Sequence, residues 1–244
     1  MIDEYFRKIM DLLEFVKIEE RESILKAAAK VSTSIRQDGI IHIFGVGHSH
    51  ILGEEVFYRA GGLAPINPIF VEELMLHKGA SRSSRLEKEN NFARSFMSNE
   101  DIRSNDLVIV ISTSGRNPVP VDVARWSQKK GAFVIGITSL AYAISQPSRH
   151  KEQYYLYQSA DLVIDNHIGI GDTLMNHPDF DESFGSGSTV VGTVIMNAIM
   201  IEAINIMLKN GYHPPIFKSG NVDGSEEHNR ALVEKYKGRI KRLI

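Results

Sequence analysis

The chain is predicted to fold as α/β: a three-layer αβα sandwich around a mainly parallel sheet, with a helical N-terminal extension. Three observations carry this. Continuous apolar runs of strand length recur, as expected for parallel strands covered on both faces: "DLVIVIS" at 106–112, "AFVIGIT" at 132–138 and "ADLVIDN" at 160–166. Apolar residues at helical spacing lie between and around them. Turns of glycine and hydroxyl residues follow the strands, the order that α/β layering requires.

The first 37 residues are predicted helical, with Ile9, Leu12, Leu13, Val16, Ile24, Ala28 and Val31 at helical spacing until Gly39 stops the pattern. "IIHIF", 40–44, is a short strand that halts at "GVGHSH". A helical pattern then runs through Glu54, Val56, Phe57 and Ala60 to the Gly61-Gly62 stop. "LAPINPIF" predicts a second strand region broken by prolines. Residues 72–100 are polar and mixed, with a loop and a helix expected around "RLEKENNFARSFM". After the 106–112 strand, Pro118 opens a helix carrying Val121, Val123, Ala124 and Trp126, since proline is well placed in a first turn. Beyond the strands at 132–138 and 160–166, "GIGDTLMNHPDFD" is expected to be a long polar loop that could cover a ligand, with Asp172 and His177 on it. The apolar segment 188–208 predicts a buried helix, and a charged tail with "SGNVDGSEEHN" closes the chain. One domain, 1–244, with the extension at 1–37 and a C-terminal tail at 210–244, accounts for this order.

Composition narrows the function. Of 244 residues, 43% are hydrophobic and 24% charged, with a formal net charge of -2, which is ordinary for a globular protein. No block of five like charges occurs, so no nucleic-acid partner is expected, and "KYKGRIKRLI" reads as a solvated helix face. There are no cysteines, which excludes disulfides, thiolate metal sites and a cysteine nucleophile. That absence and a charged N-terminus fit a cytoplasmic protein. Segment 189–208 is long enough to span a bilayer, but Glu202, Asn197 and Asn205 lie within it, so no membrane is expected. A helix with so few polar positions should pack partly against another subunit, which predicts a homo-oligomer.

Two strand ends share one design. "IHIF" leads into Gly45-Val46-Gly47-His48-Ser49, and "IVI" leads into Ser112-Thr113-Ser114-Gly115-Arg116-Asn117. Glycine lets the backbone approach a ligand, hydroxyls supply donors that rotate to fit, and the following helix adds free N–H groups and its positive end. Ligands in such sheets sit at the carboxyl ends of the strands. Both turns are therefore candidate phosphate sites, through Gly47, His48, Ser49, Ser112, Thr113, Ser114, Arg116 and Asn117. "GVGHSH" lacks the third glycine of a dinucleotide fingerprint, so no nicotinamide cofactor, and no cofactor at all, is expected.

"IVISTSGRNPVPVDVARWSQKKGAFVIGITS" is similar to the signature of the SIS (sugar isomerase) domain, and "IHIFGVGHSHILGEEVFYRAGG" and "ADLVIDN" resemble that family's first strand–turn–helix and its next strand. The resemblance covers roughly residues 35 to 210. Its layout is most similar to the phosphoheptose isomerase branch and the UPF0309 group of bacterial proteins. The resemblance implies a five-stranded parallel sheet between helices, a dimer or tetramer, and a phosphorylated sugar or amino sugar bound at the strand ends.

In phosphoheptose isomerases a Glu on the first helix and a His on a late helix move the protons. Glu54 and Glu55 occupy the first of these places. They point about 100° apart on a helix, so at most one of them faces the site, and Glu55 is the preferred base. Segment 188–208 has no histidine; Glu202 and Asn205 stand there, a departure from the isomerase pattern. His228 is the substitute, reaching a neighbouring subunit's site from the tail; Lys218 and Ser219 are weaker candidates. His42, His48 and His50 fall within nine positions, but His42 is on a strand and is expected to face the helix layer, so no metal is predicted and His48 is read as a donor to a sugar oxygen. The leading expectation is a phosphosugar aldose–ketose isomerase. The alternatives are a phosphosugar sensor without catalysis, and an amino-sugar phosphate etherase, for which Glu72 and Glu73 would have to face the 112–114 turn beside Glu55.

Overall fold

The computed structural model describes residues 1–244. Five parallel strands form the central sheet: β1 (Ile41–Gly45), β2 (Ile66–Pro68), β3 (Leu107–Ile111), β4 (Phe133–Thr138) and β5 (Leu162–Asp165), in the order β2-β1-β3-β4-β5. Every residue of β1, β2 and β3 is buried, as the unalternated apolar runs require.

Alternate residues of each strand feed two cores. Ile41, Ile43, Ile109, Ile111, Ile135 and Ile137 pack on one face, against α2 (Arg21–Arg36), α3 (Ile51–Val56) and α8 (Ser188–Lys209). Phe44, Val108, Val110 and Val134 pack on the other, against α6 (Pro118–Lys129) with α4 (Ala80–Leu86) and α5 (Arg94–Met97) beside it. These are the three layers.

The N-terminal region is two helices, α1 (Ile2–Glu19) and α2, which meet at Glu20. The break lets both lie along α8, and α2 contributes Ala27, Ala28, Val31 and Ile35 to the same core as the sheet. The remaining helices are α7 (Leu140–Ile144) and α9 (Ser225–Tyr236). With Phe217 and Ile240, α9 closes a small cluster around Ile40 and Ala64, which precede β1 and β2 at the amino edge of the sheet.

Two local expectations need correction. The helix after the first turn ends at Val56, well short of Gly61, because Phe57 is already extended and Tyr58 adopts φ 45. The polar loop at 169–181 holds half of a hairpin: β6 (Met175–His177) pairs antiparallel with β7 (Phe180–Phe184) across Pro178-Asp179. All of β7 is exposed, so no burial pattern marks it, although Pro-Asp is a turn signal. Its own chain does not enclose α8. It is apolar and long enough to cross a membrane by composition, and 44% of its most apolar window is buried within the chain. Val191, Ile195, Met196, Ile199, Ala203 and Met207 lie in the core, while Val190, Val194, Ile201 and Leu208 form an exposed stripe.

Candidate functional site

At the carboxyl edge the two turns stand side by side, because β1 and β3 are adjacent and in register from Ile41↔Leu107 to Gly45↔Ile111. Each turn needs its glycine. Gly45 lies so close to Ser49 that a β-carbon there would come within 2.5 Å of the Ser49 backbone. Gly115 has φ 57, and a β-carbon would sit 2.5 Å from Thr138 Oγ1.

The turn after β3 is closed from within. Ser112 Oγ accepts from the Gly115 N–H (3.3 Å), and the Thr113 carbonyl accepts from the Ser139 N–H (2.9 Å) and Thr138 Oγ1 (3.3 Å). The backbone N–H groups of Thr113, Ser114, Arg116 and Asn117 find no acceptor in the chain. They gather at the N-terminus of α6, where the helix dipole also favours an anion. Asn117 precedes α6 but makes no side-chain cap; its Oδ1 instead accepts from Arg149 (3.0 Å). Arg116 is turned aside, with Nε donating to the Pro147 carbonyl (3.0 Å).

Ser49 and Thr113, one from each turn, line a single cleft with Asn166, Ser188 and Thr189 over an apolar floor of Leu52, Ile111 and Ile137. The cleft holds about 10 Å³, close to the space of one water. Asn166, Ser188 and Thr189 were not foreseen. Asn166 follows β5 and reaches Thr113 Oγ1 (3.4 Å), so the carboxyl-end rule applied to β5 as well would have found it. Ser188 and Thr189 open α8, and nothing local marks them. Asp172, at φ 56, caps that helix through the Gly187 and Ser188 N–H groups and the Ser188 hydroxyl (3.1, 2.9 and 2.6 Å).

The other candidates are scattered. His48 is exposed on the first turn. Glu55 lies against α8, held by Asn197 (3.0 Å) and by Arg59. Glu54 is more exposed and stands 3.5 Å from His50. His228 accepts from or donates to no catalytic group: its Nε2 stands 2.8 Å from the Ile216 carbonyl, in the segment that bridges to Leu63 at the amino edge, outside the cleft of its own chain. Lys218 is tied through its backbone to Asn229 in that same region. Ser219 precedes α9 there. His42 is buried between Asp106 (3.3 Å) and Asn67 (2.9 Å). No group of three metal-ligating side chains comes together. Glu72 and Glu73 are exposed and line a separate groove with Lys78, Arg82 and Phe96, away from the 112–114 turn.

One carboxyl near the turn departs from ordinary behaviour. Glu87 ends α4 beside Asn117, its carbonyl taking the Val119 N–H. Burial pushes its pKa up, against the opposing pull of Asn117, Lys88 and Arg149.

The SIS domain's sequence model matches residues 4–139, more than half the chain. The chain belongs to the SIS-domain family. The match takes in both N-terminal helices and ends with β4. Over all 244 residues the chain is 56% identical to a UPF0309 protein of Geobacillus thermodenitrificans, covering 98% of it, and it is 41% identical to one of Thermoanaerobacter pseudethanolicus, with both chains fully covered. It is thus a SIS protein of the UPF0309 group. Among solved structures it is similar to the phosphoheptose isomerase of Neisseria gonorrhoeae (TM-score 0.52, 14% identity, 84% of this chain and 97% of that one). It is similar also to the Vibrio vulnificus NanR protein complexed with ManNAc-6P (TM-score 0.54, 15% identity, 96% and 69%). At such identities the likeness is one of fold, and the five-stranded parallel sheet between helices is common to this SIS chain and its neighbours.

Proposed function

We propose that this protein binds a phosphorylated sugar at the carboxyl edge and interconverts its aldose and ketose forms. The observation that carries the binding is the set of four acceptor-free N–H groups, on Thr113, Ser114, Arg116 and Asn117, in a turn whose Thr113 also lines a cleft with Ser49, Asn166 and Ser188. The phosphate takes the N–H groups, and the sugar hydroxyls take the side chains. A neighbour of the same fold complexed with a sugar phosphate and another that is a phosphoheptose isomerase support the ligand class and the reaction. Glu55 is the base in this reading: it removes a proton from the carbon beside the carbonyl and returns it to the adjacent carbon through an enediol. The reading places the protein in the cytoplasm as a homo-oligomer.

A second reading, a phosphosugar sensor without turnover, is favoured by two observations. Glu55 is held by Arg59 and by Asn197 on the α8 side, and no histidine lines the cleft of the chain itself. The etherase reading has no such support, since Glu72 and Glu73 face another groove.

A thermal-shift panel of glucosamine-6-phosphate, fructose-6-phosphate, sedoheptulose-7-phosphate and N-acetylmuramic acid-6-phosphate tests binding, because a ligand of the native state raises Tm by mass action. Turnover of the sugar that binds then separates the readings. The isomerase reading expects wild-type turnover to fall about 10²–10⁴-fold in Glu55→Gln. Binding without turnover leaves the sensor, and no shift with any phosphosugar sinks both.

A further inference from the structure

A second cavity lies on the flank of α6 that faces away from the sheet, between that helix and the turns at 91–94 and 150–152. It encloses about 210 Å³ and shares no wall residue with the carboxyl-edge cleft. Four cations line it, Arg94, Arg125, Lys129 and Lys151, against two carboxylates, Asp122 and Glu152.

Both carboxylates are already committed. Asp122 takes the His150 Nε2 (3.1 Å) and the Asn91 N–H (3.1 Å). Glu152 takes Arg125 (3.3 Å), whose guanidinium also lies over the Tyr154 ring at 4.0 Å. Lys151 spends one N–H on the neutral Asn91 amide (2.8 Å). Arg94 and Lys129 pair with no carboxylate. The surplus positive charge therefore belongs to Arg94, Lys129 and Lys151. In a concave wall their fields add, and Asp122, which has no cationic side-chain partner, offsets only one of them, so four cations against two carboxylates leave a surplus of two positive charges. The indole of Trp126 lines the same cavity, and its Nε1–H is buried without an acceptor.

We infer that this cavity is a second anion site, which takes a diphosphate group. A planar guanidinium and two ammonium groups match the charge and the many acceptor oxygens of such an anion. The volume is below the roughly 300–1,000 Å³ of pockets that enclose a whole small molecule. It suits the charged head, with the rest of any larger ligand outside. The site is independent of the phosphosugar reading.

Trp126 is the only tryptophan in the chain, so intrinsic indole fluorescence reports on this cavity. The full-length protein is titrated with sodium pyrophosphate, against sodium chloride at matched ionic strength. A saturable change is expected in wild type, weakened at least tenfold in Lys129→Glu and in Arg94→Glu. Both residues are exposed, and a thermal melt of each variant confirms folding. Ser114→Asp, which places a negative charge in the carboxyl-edge turn, is expected to leave the titration unchanged. Calorimetry on the same proteins covers an anion that binds without altering the indole. ADP forms a second arm: equal affinity assigns the cavity to the terminal diphosphate of a larger ligand, and tenfold weaker binding assigns it to the free anion. The inference is overturned by a response that chloride reproduces, by a response lost in Ser114→Asp but kept in Lys129→Glu, or by pyrophosphate heats equal in wild type and Lys129→Glu.

Discussion

Asp106 and Glu87 show how differently two carboxyls behave in one fold. Asp106 precedes β3 at the amino edge, buried, and accepts from the Ile40 and Arg103 N–H groups (2.8 and 2.7 Å) and from both ends of the Arg239 guanidinium (2.9 and 2.7 Å). Burial opposes its charge, but the hydrogen bonds from His42, Arg239 and these two N–H groups outweigh it and hold its pKa far below the usual carboxylate range. Its contribution to stability is present above the unfolded value of about 3.9 and is lost as pH falls through the folded one. Asp106→Asn leaves Arg239 without its main partner, so a loss of about 3–5 kcal/mol is expected at pH 7. Urea melts at pH 7 and pH 3 check this, and a deficit that does not shrink at the lower pH counts against the argument. Glu87 runs the other way. Its raised pKa means that the folded state loses stability as pH rises from the unfolded value of about 4.3 through the folded one. Glu87→Gln keeps the shape without that penalty. Its Tm should gain on wild type between pH 4 and pH 8, and a difference independent of pH removes this account.

The element that decides the site is strand–turn–helix, used twice in adjacent strands. The turn after β3 depends on Gly115: a left-handed residue with a β-carbon costs about 1–3 kcal/mol, before the contact with Thr138 Oγ1 is counted. Gly115→Ala should lower stability by at least that much in a denaturant melt. It should also abolish the phosphosugar thermal shift, because the freed N–H groups on either side would be displaced. A variant that melts lower but still binds would show that the anion rests elsewhere. The hairpin formed by β6 and β7 is the contrasting element. It is held to α1 by Tyr5 on the Ser186 carbonyl (2.8 Å) and Lys8 on the Leu174 carbonyl (2.6 Å), so its place is set by these tertiary hydrogen bonds and by the burial of Met175, while all of β7 stays exposed.

For the whole molecule the largest uncovered apolar feature of the long helices is the outer face of α8. Val190, Val194, Ile201 (66% exposed) and Leu208 are exposed on α8, and Ile2, Phe6 and Met10 are exposed on α1, with Met10 and Val194 lining one groove. Between these helices and α2 runs a groove of about 530 Å³, floored by Leu13, Val16 and Ile195 and rimmed by Glu14, Lys17, Arg21 and Glu202. Two acids and two bases on one rim can satisfy each other across a two-fold axis, and apolar faces of this kind are seldom left in water. The proposed oligomer should therefore use this face. Ile201→Glu is expected to convert it to monomers by analytical ultracentrifugation. A wild-type protein that sediments as a monomer at micromolar concentration rejects the assembly itself.

The periodicity of the chain was enough to place the strands of the central sheet and the main helices, because an unbroken run such as "LVIVI" has one stable environment and apolar spacing of 3.6 has another. The glycines and hydroxyls of residues 45–49 and 112–115 likewise announced two ligand-type turns, since local backbone geometry demands those residue types. That the two turns share a cleft rests on the strand order, which sets β1 beside β3 across more than sixty intervening residues. The same order brings Asn166 and Ser188 to that cleft, turns Glu55 towards Asn197 on α8, and leaves His228 at the opposite edge. Local sequence encodes local conformation; which side chains meet is settled by burial of the two sheet faces, a property of the assembled layers that no short stretch contains.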